Sequence, residues 1–210
     1  MTRPAAPIRL YHFPLSGHAH RVELFLSLLG LPFERVTVNL LAGEQKTPAF
    51  LAKNAFGQVP VIEDGGVTLA DSNAILVYLA GRYDADHRWL PVDPERAAHV
   101  QRWLSAAAGP MAYGAAAARL VHVFGMPLDH ARAKAAAEQV FGVMEGSLAG
   151  RNWLVGDAIT LADVAMYTYT AHAPEGAIPL DAYPNVRAWL ARVESLPGFV
   201  PMQRSAVPAA

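Results

Sequence analysis

Ser16, Asp71 and Ser72 stand where a side chain could act on an anion. Ser16 precedes a helical pattern in which Val22, Leu24, Phe25, Leu28 and Leu29 are apolar, and Asp71-Ser72 opens another that runs to Tyr83. The first turn of a helix carries N–H groups without partners, and its dipole favours negative charge. Each of these residues could also simply cap its helix, and the two roles are compatible. Other chemistries are narrowed by composition. The 210 residues include no cysteine, which rules out a protein thiol nucleophile, a disulfide framework and a cysteine-based zinc site. Of the eight histidines, His18 and His20 are two apart and diverge on a helix, and no His-Glu-x-x-His run exists, so no metal site is expected. Thr160-Leu161-Ala162-Asp163 fits a capping box and reads as structural.

The elements that must position these groups follow from the pattern. Ile8–Phe13 is a short run of strand formers closed by Pro14, and the helix after Ser16 ends at Gly30. Phe33–Val38 reads as a second strand and Pro48–Lys53 as a short helix. Val59–Glu63 and Val67–Leu69 flank Asp64-Gly65-Gly66, a hairpin signal. The order β-α-β-α-β-β-α is thioredoxin-like. Residues 85–93 read as a linker, and beyond Pro94 the patterns are helical: Glu95–Val123, interrupted at Gly109-Pro110, then Asp129–Ala149, Leu161–His172 and Pro184–Ser195. Two domains are expected, an α/β unit over residues 1–84 and an all-helical unit over residues 94–210.

A composition of 53% hydrophobic and 17% charged residues supports a buried core. A net charge of −1 without a basic run argues against nucleic acid as a partner. No segment approaches the roughly 20 apolar residues that span a bilayer. Met1–Pro7 does not read as a signal peptide, so a cytoplasmic protein is expected.

Asn54-Ala55-Phe56-Gly57-Gln58-Val59-Pro60-Val61, followed by Leu69-Ala70-Asp71-Ser72-Asn73-Ala74-Ile75, resembles the glutathione-binding core of the glutathione S-transferases. Trp153–Asp157 with Thr160–Asp163, and Tyr183–Val186 with Leu196-Pro197, extend the likeness over nearly the whole chain. The resemblance implies a cis bond before Pro60, which for an X–Pro step costs only about 0.5–1 kcal/mol. It also implies that the backbone N–H and C=O of Val59 pair with the cysteinyl backbone of glutathione, as an added strand would. Ser72 and Asp71 would meet the γ-glutamyl carboxylate and ammonium, Lys46 and Gln45 the glycyl carboxylate, and Gln58 the tripeptide backbone. The family often has His where Gln45 stands and usually Pro where Ala55 stands.

Pro14–Val22 is similar to the phi- and theta-type pattern in which a serine after the first strand activates the thiol, which points to Ser16. His12 and then Tyr11 are the runners-up, because other classes use a tyrosine near this strand's end. Classes that use a cysteine here are excluded. A thiol of pKa near 8.5 is only about 3% thiolate at pH 7. Lowering that pKa by about two units requires roughly 2.7 kcal/mol, within reach of one hydrogen bond to the anion, about 1.5–3 kcal/mol, helped by a helix start. Most of the acceleration must then come from holding the electrophile beside the sulfur. Leu15, Trp103, Met111, Tyr113 and Phe124 are candidates for that apolar wall, and each of the last four could be plain core. The resemblance implies glutathione as co-substrate, a small hydrophobic electrophile and a homodimer. Isomerisation, ether or halide cleavage, or peroxide or disulfide reduction would use the same fold, as would a non-catalytic glutathione-binding protein.

Overall fold

A computed structural model describes residues 3–208. The chain divides into two compact units. One runs to His87 and takes in Pro197–Gln203, and the other comprises Arg88–Leu196 and the stretch that begins at Arg204.

The first unit is built on a four-stranded sheet of β1 (Ile8–His12), β2 (Phe33–Thr37), β3 (Val61–Asp64) and β4 (Val67–Ala70), in the order β2-β1-β3-β4. β1 and β2 are parallel, joined by α1 (Gly17–Leu28), while β3 runs antiparallel to both β1 and β4. A one-turn 3₁₀ segment (Glu44–Lys46) and α2 (Pro48–Leu51) separate β2 from β3, and α3 (Ser72–Tyr83) follows β4. This is the expected thioredoxin-like order. β3 starts at Val61 rather than Val59: its ladder with β1 begins at the Tyr11–Val61 pair, and the Val59–Pro60 bond before it is cis. Alternation along β1 sends Tyr11 into a cluster with Phe50, Val59 and Val61.

Pro197–Gln203, expected in the helical domain, belongs to this first unit. Ser27 Oγ donates to the carbonyl of Gly198 at 2.6 Å, and His20 Nε2 lies 2.9 Å from the carbonyl of Val200, so the segment is tied along α1.

The second unit has no strand among its described residues. It comprises α4 (Pro94–Ala108), a π-helical turn (Ala112–Ala116), α5 (Ala117–Phe124), α6 (His130–Leu148), α7 (Leu161–Ala171), a 3₁₀ turn (Ala173–Gly176) and α8 (Pro184–Glu194). Asp93 caps α4 with Pro94 at the first helical position, where the missing N–H costs nothing. The long pattern does break at Gly109-Pro110, and its second half is α5. Asp129 caps α6. At α7 both halves of the capping box form, and Asp163 does more than cap: its Oδ1 also accepts from Leu154 N–H at 3.0 Å and from Trp189 Nε1 at 2.9 Å. Burial raises its carboxyl to about 6, against the pull of these hydrogen bonds. The described helices include none long and apolar enough to cross a membrane.

Candidate functional site

Strand register gathers the site. Tyr11 pairs with Val61, and Val61 with Ala70, across three adjacent strands. The segments that leave or enter these positions therefore lie at one end of the sheet: Phe13–Ser16 after β1, Val59-Pro60 before β3 and Asp71-Ser72 after β4. β2 is parallel to β1 and in register with it, His12 beside Thr37, so the loop carrying Gln45 and Lys46 leaves from the same end.

Ser16 is the N-cap of α1. Its Oγ accepts from Ala19 N–H at 3.2 Å. Capping uses a lone pair and leaves the hydroxyl hydrogen to be donated, so cap and anion donor are one residue in one geometry. Tyr11 is 7% exposed, and its hydroxyl donates to Glu63 Oε2 at 3.0 Å. Lys53 bonds the other oxygen of Glu63 and holds that carboxyl below its usual range. The Tyr11 proton is thus committed to the sheet's own network. His12 faces elsewhere, into a cavity of about 180 Å³ with Phe13, His20, Glu23, Arg35 and Met202. Its Nδ1 is 4.0 Å from Glu23 Oε2, and burial lowers its pKa, so the ring is neutral at pH 7.

At α3 the backbone of Asp71 takes φ +70°, a region that residues with a side chain rarely enter and that recurs at ligand clamps. Asp71 Oδ1 accepts from the N–H groups of Asn73 and Ala74, both at 2.9 Å. Ser72 is buried, and its Oγ accepts from Arg21 Nη1 at 2.8 Å, which leaves its hydrogen for a ligand. The same nitrogen donates to Asn73 Oδ1 at 3.0 Å. Arg21 is 1% exposed and joins the helix that starts at Ser16 to the one that starts at Ser72. Sequence reasoning missed it. The available signal was an arginine among the buried positions Val22, Leu24 and Phe25, where an unpaired charge is expensive.

Neither backbone group of Val59 is hydrogen-bonded among the described residues, and Asn54 Nδ2 fixes the loop ahead of it by donating to the Gln58 carbonyl at 2.8 Å. The side chain of Gln58 is exposed. Lys46 Nζ donates to the Phe56 carbonyl at 3.3 Å, across Gly57. Gly57 has φ +59°, and a Cβ there would stand 2.8 Å from both Lys46 Nζ and the Gln45 carbonyl. Gln45 Nε2 donates to the Leu40 carbonyl at 3.4 Å, and its buried Oε1 has no partner. That bond uses one hydrogen of Nε2 and leaves the other to be donated, while Lys46 is the cation of the loop.

Leu15, half-buried, lies beside Ser16. The other apolar candidates belong to the second unit. Trp103 and Met111 are enclosed there at 2% and 0% exposure, Phe124 is partly buried, and Tyr113 in the π-helical turn is exposed. Among the described residues no three or more acidic or histidine side chains gather as a metal ligand set.

A thioredoxin-like sheet whose helix starts converge at one end, followed in the chain by an all-helical unit, defines the class of protein. The glutathione S-transferase N-terminal domain family matches residues 6–81 and the C-terminal domain family residues 126–197. Glutathione S-transferase 3 of Zea mays is 35% identical over 207 residues, covering 92% of each chain. A solved glutathione S-transferase of Pseudomonas fluorescens superposes with a TM-score of 0.88 at 35% identity, over 94% of this chain and 99% of that one. A glutathione transferase homologue of Drosophila mojavensis, solved with bound glutathione, superposes with a TM-score of 0.82 at 27% identity, over 91% and 89%. The chain belongs to the glutathione S-transferase family and is an enzyme of that family.

Proposed function

We propose that this enzyme binds reduced glutathione across the end of the sheet and directs its thiolate at a small hydrophobic electrophile. The observation that carries the reading is the Tyr11–Val61–Ala70 register, which puts the segments of Ser16, Val59 and Ser72 at one end of the sheet. Val59 N–H and C=O pair with the cysteinyl residue, Ser72 and the α3 start take the γ-glutamyl carboxylate, and Asp71 faces its ammonium. Lys46 takes the glycyl carboxylate, with Gln45 and Gln58 beside the tripeptide. Ser16 Oγ donates to the sulfur. Tyr11 and His12 are disfavoured for that role, one by its bond to Glu63 and the other by its separate cavity.

Leu15, next to Ser16, offers apolar surface to the electrophile; of the second unit's candidates, Tyr113 is exposed and Phe124 partly so, whereas Trp103 and Met111 are enclosed. No metal enters the transfer: the sulfur attacks, the leaving group departs with its electron pair, and the thiol proton has already gone to solvent. The protein works in the cytoplasm as a homodimer, as the family resemblance implies. Calorimetry with glutathione, followed by a pH titration of thiolate absorbance in the bound state, tests the reading. Saturable binding with a bound thiol pKa about two units below 8.5 is expected. An unshifted thiol would leave a binding protein, and no binding would remove the site altogether.

A further inference from the structure

We propose that His122 and His130 form a site for a divalent transition metal such as zinc or nickel, closing the turn between α5 and α6. His122 lies in the last turn of α5 and His130 is the first residue of α6. Gly125, left-handed at φ +63°, ends α5 and sends the chain back on itself. The turn thereby sets two imidazoles face to edge. Their Nε2 atoms are 3.2 Å apart, with ring centroids at 4.7 Å and planes crossing at 88°.

Two imidazole nitrogens bound to one tetrahedral ion at about 2.0–2.1 Å stand about 3.3 Å from each other. The pair is within tenths of an ångström of that spacing before any ion arrives. The Gly176 carbonyl can only accept, so in the metal-free protein His130 Nε2 carries the proton, and His122 Nε2 faces it with its lone pair. When a metal ion binds, the proton of His130 moves to Nδ1, which frees the Nε2 lone pair of each ring for the ion, and imidazole is a ligand suited to zinc, nickel and copper.

A third donor is at hand. His130 Nε2 lies 2.8 Å from the carbonyl oxygen of Gly176, close to the spacing of neighbouring ligands around a small divalent ion. The turn that carries this carbonyl is held firmly on α5. Arg119 Nε donates to Glu175 Oε2 at 2.6 Å, with both groups buried, and His172 Nδ1 lies 2.6 Å from Glu175 Oε1. A Cβ on Gly176 would come within 2.7 Å of the Arg119 nitrogen, so only glycine lets the turn sit this close. The three donors are carried by α5, α6 and the 3₁₀ turn, with His130 Nε2 in contact with both of the others, and two of the carriers are locked together. Because the set has two side chains only, water completes the coordination. The ion is exchangeable, fastens the hairpin, and has no part in the glutathione chemistry.

Titration of zinc chloride, and separately nickel chloride, into tag-free protein in a non-chelating buffer without glutathione reads the site calorimetrically. One equivalent is expected, with affinity falling at least tenfold in His122→Ala and again in His130→Ala. His122 is exposed, so its replacement leaves the fold intact, and circular dichroism checks that both variants remain helical. If His130→Ala does not fold, His122→Ala decides alone. Absence of saturable uptake by the parent protein, or uptake that His122→Ala retains at full strength, overturns the site. Loss in His122→Ala but not in a folded His130→Ala also overturns it, since a shared ion needs both rings.

Discussion

The guanidinium of Arg21 donates to the hydroxyl of Ser72 at 2.8 Å, and through that bond α1 sets the start of α3. Arg21 touches no reacting atom in the proposed complex and acts as a positioning residue. Arg21→Met keeps much of the volume and drops the charge. The KM for glutathione should rise at least tenfold while kcat with saturating glutathione stays within about threefold. A kcat loss without a KM change in steady-state kinetics would count against this role.

Ser16 combines a cap with a donor, so its removal should register in two separate assays. Ser16→Ala should cost about 1 kcal/mol of stability in urea unfolding, the ordinary worth of a cap. Turnover should drop at least tenfold with the Kd for glutathione nearly unchanged, and Ser16→Thr should restore part of both. Unchanged turnover in Ser16→Ala would transfer the thiolate contact to another group.

Gly57 lets the Lys46 loop lie against the Phe56 carbonyl. Gly57→Ala adds a Cβ at a positive φ and against two close atoms, and should destabilise by about 1–3 kcal/mol. Lys46→Ala leaves the backbone alone and should weaken glutathione binding severalfold, with the loss shrinking as salt is raised. Calorimetry at two ionic strengths separates the charge from the loop.

Asp163 gives a pH signature. Its carboxyl is raised from 3.8 to about 6 in the folded state, so between those values the folded chain holds more protons than the unfolded one. Stability from this group is therefore fully present below about pH 4 and is lost as pH rises through 6, by about 3 kcal/mol at most. His18, lowered to about 3 mainly by burial and also by Arg21, works in the opposite direction, losing stability as pH falls below 6.5. Asp163→Asn isolates the first contribution. Wild type minus variant, measured by unfolding at steps from pH 4 to 7, should decline as pH rises. The variant should also be less stable throughout, because the Thr160 N–H loses its acceptor at Oδ2.

Much of this architecture was legible before any coordinates. Alternation and turn residues marked the strands, Asp71 and Thr160 announced helix starts, and Gly109-Pro110 announced a break. These signals are local, and local chemistry enforces them. What escaped was long-range. The Arg21–Ser72 bond joins residues 51 positions apart. The commitment of Gln45 to the Leu40 carbonyl, and of Tyr11 to Glu63, became visible only once the sheet was assembled. The π-helical turn after Gly109-Pro110 left no periodic trace that could be told from an ordinary helix.

The strap from Pro197 to Gln203 has a practical corollary for anyone dissecting this enzyme. A fragment cut after the first 84 residues would strip Ser27 and His20 of the carbonyls they hold and uncover a flank of α1. The front half is thus not a contiguous cassette. Chimaeras that exchange it with a relative should carry the donor's distal seven residues along, or they will join a sheet to a clasp evolved for another.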